Sequence, residues 1–188
     1  MPLPAWERSL FLWLQGLRAI EFHAVMVWFS GLGPWVLLLG WLAVRAWRRL
    51  NRRDFWMVIV AAAVLLAVTD SSTSSFFKNL VKRLRPCKMP ELAPLIPDHG
   101  QGCGGRWGFF SSHASNAFAL THFLVMFARP ARWMWAMIWG VAAMVGLSRV
   151  YLGVHLPLDV IVGAVWGLAL AQAWRWLVRL SLRGPIAP

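Results

Sequence analysis

The sequence predicts an all-α polytopic membrane bundle: about five transmembrane helices, preceded by a helix lying in the membrane interface. Three observations carry that prediction. Of the 188 residues, 59% are hydrophobic and 14 are tryptophan, with a positive mean hydropathy, far from the balance of a soluble domain of this size. The apolar residues form near-continuous runs that reach or approach the roughly 20 residues a spanning helix needs. The formal charge of +12 is gathered between those runs rather than spread along them. An apolar soluble helical bundle is the plainer alternative, and the length of the runs argues against it.

The first segment, 6–20, mixes Trp6, Leu10, Phe11, Trp13, Leu14 and Leu17 with Glu7, Arg8, Gln15 and Arg18, which suits a helix lying in the interface, so 1–22 is the interfacial portion. No basic start precedes it and no small-residue cleavage site follows, so it is expected to stay attached. The first span is 23–44. The second, 55–77, carries a polar run from Thr69 to Ser75, and Asp70, Ser74 and Lys78 fall four apart on one helical face that is expected to point into the bundle. Residues 86–110 form the one long connection. Pro90, Pro94, Pro97, Gly100, Gly102, Gly104, Gly105 and Gly108 work against regular structure there, and a loop of this length in a compact domain is usually functional or disordered. The third span, 113–128, is short; the fourth is 133–150; the fifth, 158–174, follows Pro157, which suits a helix's first turn. Trp41, Trp47, Trp56, Trp133, Trp135, Trp174 and Trp176 stand near span ends as interfacial anchors do. Met134, Met137 and Met144 are expected to pack the bundle. No repeat or low-complexity linker divides the chain, so 1–188 is expected to be a single domain.

The basic residues do not make a continuous face with interleaved aromatics, so nucleic acid is not an expected partner; the bilayer is. Arg45, Arg48, Arg49, Arg52 and Arg53 fill one connection, Arg129 and Arg132 another, and Arg175, Arg179 and Arg183 the tail. With five spans these ten share a face that the excess of positive charge assigns to the cytoplasm. The other face has nine, or six once Lys78, Arg85 and Arg149 are set aside for the site. Cys87 and Cys103 both lie in the long connection. In a reducing compartment they would be two separate thiols; on an oxidising outer face they read as one disulfide, which the orientation favours. They lack the partners a zinc site needs, so no metal or other cofactor is expected.

Three blocks put ionisable groups at the edges of oily segments, where charge is costly and marks function. They are Lys78 with Arg85 and Pro86; Phe110-Ser111-Ser112-His113; and Ser148-Arg149 with His155 and Asp159. Arg85 and Arg149 can fork onto a phosphate, and Lys78 adds a point charge. Ser111 and Ser112 begin the third helix, where free amides and the helix dipole favour an anion. Asp159 lies one helical turn after His155 and can hold one ring nitrogen while the other faces a substrate, making His155 a candidate nucleophile. His113 then remains to protonate the leaving group and activate water. His23, His99 and His122 match no block and are expected to be structural. Two readings of Asp70 stand: an intramembrane functional acid, or a stripe partner that orients Lys78 or simply bonds to the serines and threonines around it. Lys82, Arg83, Lys88 and Arg106 read as solvated contacts to lipid headgroups, one of them a candidate contact to a second phosphate.

The three blocks resemble those of the type 2 phosphatidic acid phosphatase (PAP2) superfamily, which includes membrane lipid phosphatases, soluble acid phosphatases and vanadium haloperoxidases. The resemblance covers roughly 70–163, and three blocks in order at set spacings make a specific signal. It implies a helical bundle with the site at the outer membrane edge and a phosphohistidine formed without metal. It carries His155 over as nucleophile, Asp159 as its orienter, His113 as acid, and Lys78, Arg85, Ser111 and Arg149 as phosphate cradle. The second block departs from Pro-Ser-Gly-His, with Phe110 in place of proline and Ser112 of glycine. The stretch 103–114 looks most like bacterial members acting on undecaprenyl diphosphate or phosphatidylglycerol phosphate. The expectation is therefore a metal-independent lipid phosphatase of the bacterial inner membrane, its site facing the periplasm, best matched to undecaprenyl diphosphate. Phosphatidylglycerol phosphate and phosphatidic acid are alternative substrates. Phosphotransfer to another lipid shares every catalytic residue, and a headgroup transporter is the non-enzymatic competitor.

Overall fold

A computed structural model describes residues 3–31, 33–96 and 102–181, so His99, Pro97, Gly100 and Arg183 lie outside the described residues. The fold is all-α. Its helices are α1 (Ala5–Gly16), α2 (Ile20–Ser30), α3 (Gly33–Trp47), α4 (Arg52–Ser71), α5 (Lys78–Val81), α6 (Ser112–Ala128), α7 (Arg132–Tyr151) and α8 (Pro157–Ser181). Among the described residues, three stretches are long and apolar enough to cross a membrane: Arg52–Val81, Arg132–Tyr151 and Pro157–Ser181. A fourth arises if Glu21–Ser30 and Gly33–Trp47, inclined by 50°, make one broken span. The run 23–44 is therefore not one straight helix. Gly31, Gly33 and Pro34 sit at the break, where proline cannot donate to the preceding turn and glycine gives up most backbone entropy on becoming helical.

Helix α6 has 17 residues and packs against α3, α4, α7 and α8. A helix wrapped in protein on several sides has little lipid to match. Phe123, Ala117 and Ala119 are fully buried along it. Helices α6 and α8 run parallel: Ser111 N donates to Asp159 O (2.9 Å) at their starts, and His122 Nε2 meets Gln172 Oε1 (3.0 Å) further along. Helix α4 lies antiparallel to both. It meets α8 where Trp166 Nε1 donates to Ser72 Oγ and Trp174 Nε1 to Ala61 O, both at 3.0 Å. Trp174 is thus an inter-helix strut as well as a residue near a span end, and Met137, expected to pack, is exposed on the outside.

The polar run after Thr69 opens into a π-helical turn, Ser72–Phe77. Ser72, Thr73 and Ser74 return their hydroxyls to the carbonyls of Thr69 and Asp70, competing with the regular ladder. Helix α1 buries a stripe at every fourth position, Glu7, Phe11 and Gln15, against α7 and α8, and leaves Trp6, Trp13 and Leu17 exposed. At the far end of α6, Arg45 donates to Ala128 O (3.4 Å) and Arg129 O (3.2 Å), a cation on a helix C-terminus. The arginine-rich turns therefore gather at one end of the bundle, and the N-termini of α6 and α8 at the other.

Candidate active site

Ser111 caps α6: its Oγ accepts from Ala114 N at 3.4 Å, and the residue is fully buried. The next residue, Ser112, faces outward from that turn. Its Oγ accepts from Lys78 Nζ (2.9 Å) and bonds to Thr73 Oγ1 (2.7 Å). Lys78 lies just past the π-helical turn, so that turn sets where the lysine points. Arg85 follows α5 and is held by the irregular loop: its Nε donates to Trp107 O (3.3 Å) and its Nη1 to Cys103 O (3.1 Å). The loop is held in turn by the Cys87–Cys103 disulfide, whose Cα atoms are 6.0 Å apart, and by Gly108 N donating to Arg83 O (2.8 Å). Gly104 has φ +67° with its open side against the Arg85 guanidinium, so a side chain there would be strained as well as crowded.

His155 sits between α7 and α8. Its backbone N donates to Arg149 O (3.2 Å), and Arg149 in turn donates to Ser30 Oγ while its Nε is buried with no hydrogen-bond partner. His155 is 1% exposed, with Nδ1 3.6 Å from Asp159 Oδ2. That separation is long for a hydrogen bond, so Asp159 acts on the ring chiefly by charge. Burial pushes the imidazole down to about 4; Asp159 opposes the shift, and the Arg85 and Arg149 charges add to it. Burial also lowers Arg85, against the pull of Asp159.

A cavity of about 540 Å³ joins these groups. Lys78, Arg85, Ser112, His113 and His155 line it near the start of α6, and Leu39, Leu66 and Leu120 line it deeper along the helices. Asp70 and Ser74 share that wall with Lys78, as the four-residue stripe predicts. Asn116 Nδ2 approaches Asp70 Oδ1 at 3.5 Å. Ser111 and Asp159 are fully buried and do not reach the wall, and Arg149 extends from α7 to Ser30. Of the other histidines, His122 pairs with Gln172.

Behind the site, Arg83 and Glu7 differ from expectation. Arg83, read from sequence as a solvated headgroup contact, is only 11% exposed at its side chain. It donates to Asp159 Oδ1 (3.0 Å) and to both carboxylate oxygens of Glu7. Glu7, which the sequence puts in an interfacial helix, is fully buried. A visible signal was its four-residue spacing from Phe11 and Gln15, which sets the acid on the docked face. Thr73, which braces Ser112, was hidden in the polar run.

A family model for the PAP2 superfamily matches residues 54–183. A lipid A 4′-phosphatase of Porphyromonas gingivalis is 33% identical over 165 residues, covering 86% of this chain and 68% of that protein. One of Bacteroides thetaiotaomicron is 31% identical, covering 86% and 72%. Among solved structures, the first transmembrane PAP2-type phosphatidylglycerolphosphate phosphatase from Bacillus subtilis superposes with a TM-score of 0.65 at 21% identity, over 96% of this chain and 90% of that one. The likeness of fold, the match over residues 54–183 and the three blocks meeting at one cavity agree: this chain is an integral membrane protein and belongs to the PAP2 superfamily.

Proposed function

We propose that the cavity removes phosphate from a membrane lipid through a phosphohistidine on His155, as a member of a family of phosphate-ester hydrolases. The observation that carries this reading is a buried histidine beside a carboxylate on a wall shared with Lys78, Arg85 and a second histidine. His155 Nε2 attacks phosphorus and the bond to the lipid oxygen breaks. His113 gives that oxygen a proton, then takes one from the water that attacks the phosphohistidine, and His155 is restored as inorganic phosphate leaves. Asp159 compensates the positive charge on the ring. Lys78, Arg85 and Ser112 hold the nonbridging oxygens, with Ser111 and Arg149 supporting them from behind.

The apolar depth of the cavity suits a substrate whose tail stays in the bilayer. The names of the relatives favour a lipid A-type phosphate, and the resemblance of 103–114 keeps undecaprenyl diphosphate as the second reading. The site faces away from the cytoplasm of a bacterial inner membrane, on the balance of ten basic residues against six. The test is inorganic phosphate release by detergent-purified protein in excess EDTA, over lipid A, undecaprenyl diphosphate, phosphatidylglycerol phosphate and phosphatidic acid. Release persists in EDTA, and His155→Ala lowers it by at least about 10³-fold. Strict dependence on added magnesium, or transport of intact lipid without phosphate release, overturns the reading.

A further inference from the structure

Glu7 and Arg83 do not line the cavity, yet Arg83 ends on the carboxylate behind His155 and Glu7 ends on Arg83. We infer that Glu7 and Arg83 are positioning residues for the reaction, setting how much negative charge Asp159 presents to His155. The inference rests on the reading of His155 as nucleophile.

The geometry is closed on every side. Asp159 and Glu7 are both fully buried, and two carboxylates so placed need donors and a countercharge. Arg83 supplies both: one nitrogen bridges Asp159 Oδ1 (3.0 Å) and Glu7 Oε1 (3.3 Å), and the other bonds Glu7 Oε2. Each acid also accepts from a backbone amide at the start of α8. Leu156 N donates to Asp159 Oδ2 (2.9 Å), and Leu158 N to Glu7 Oε1 (3.0 Å). The cluster of two acids and one cation keeps one net negative charge, which is what the ring needs when it becomes an imidazolium phosphate. An Asp159–Arg83 pair without Glu7 would be neutral, and the ring would lose that compensation. The docking of α1 therefore belongs to the chemistry as well as to anchoring.

The charged groups acting on His155 are Asp159 from α8, Arg149 from α7, His113 from α6 and Arg85 from the segment after α5, with Arg83 and Glu7 one contact further back. The two variants change that set with opposite sign. Glu7→Gln keeps the shape but leaves Arg83 to neutralise Asp159, so the ring binds a proton less readily. Arg83→Met removes the cation, so the ring binds one more readily.

The experiment follows p-nitrophenyl phosphate hydrolysis by the full chain in detergent, from about pH 3 to 8. The acid limb of kcat/KM is expected to move to lower pH in Glu7→Gln and to higher pH in Arg83→Met, with kcat lowered about tenfold or more and KM changed less than about threefold in both. Arg83→Lys, which keeps the charge but loses the two-sided fork, should leave the limb near its wild-type place while kcat falls; it carries the test if Arg83→Met does not fold. A limb that stays put in Glu7→Gln, a limb that moves the same way in Glu7→Gln and Arg83→Met, or an Arg83→Lys variant that keeps the wild-type kcat overturns the inference. An active His155→Ala would instead overturn the nucleophile assignment.

Discussion

His155 owes its chemistry to where its charge is allowed to form. A fully exposed imidazole titrates near 6.5, but burial brings this one to about 4, with Arg85 and Arg149 adding to the shift against Asp159. The neutral form, which the proposed attack needs, therefore persists as pH falls through 6 and 5, and is lost only near 4. The acid limb of kcat/KM should lie near pH 4 once corrected for the substrate phosphate's own ionisation near about pH 6; a limb at about 6.5 would show an exposed ring. Stability carries the same sign. The unfolded chain takes up the proton first, so acidification from about 6.5 to about 4 costs folding stability at this residue, and none is lost above that window. The sequence carried Lys78, Arg85, His113, His155 and Asp159 because their spacing is local and chemically specific. It could not carry Glu7 and Arg83, whose meeting spans 76 positions and depends on which face α1 docks.

At the scale of elements, the site depends on how close α6 and α8 come. A Cβ at Gly163 would lie 2.6 Å from Ser111 O, and one at Gly167 would strike Ser115 O and approach Ala119 N at 3.1 Å. Two glycines four apart let the α6 backbone settle onto α8, the small-residue packing that holds helices together in lipid. They also set Ser111 against Asp159. Gly167→Val should therefore cost about 1–3 kcal/mol by overpacking, seen as a lower thermal midpoint in detergent, together with lost activity as α6 shifts. Gly140→Ala, where nothing lies within 4 Å, should be neutral or slightly stabilising. If both variants melt with wild type, close approach of these helices is not what fixes the site. Sequence patterning located the apolar runs but not this contact, because a glycine in an apolar run reads the same whether it faces lipid or a neighbouring backbone. For the same reason the break near Gly31 was missed within the run 23–44, and the π-helical turn within the run of serines, where hydropathy carries no record of hydrogen-bond register.

Across the whole molecule, charge and helix direction are polarised together. The N-terminus of α6 opens toward the cavity, so its dipole joins Lys78 and Arg85 in favouring an anion at that end, while amides at the start of α8 are taken by Asp159 and Glu7. The C-terminus of α6, capped by Arg45, lies at the other end with Arg48, Arg49, Arg129 and Arg132. In the proposed reading, basic residues at one end bind phosphate and those at the other resist transfer across the bilayer. The proposed outward orientation rests on assigning the two sets these different roles. It can be measured directly, since the chain's two cysteines are bonded to each other and an introduced thiol reports alone. Ser9→Cys, exposed on α1 at the cavity end, should react with a membrane-impermeant maleimide in intact spheroplasts, whereas Arg49→Cys should react only after permeabilisation. The reverse pattern would put the cavity in the cytoplasm. It would also leave Cys87 and Cys103 in a reducing compartment, where the disulfide that closes the loop around Arg85 would not persist.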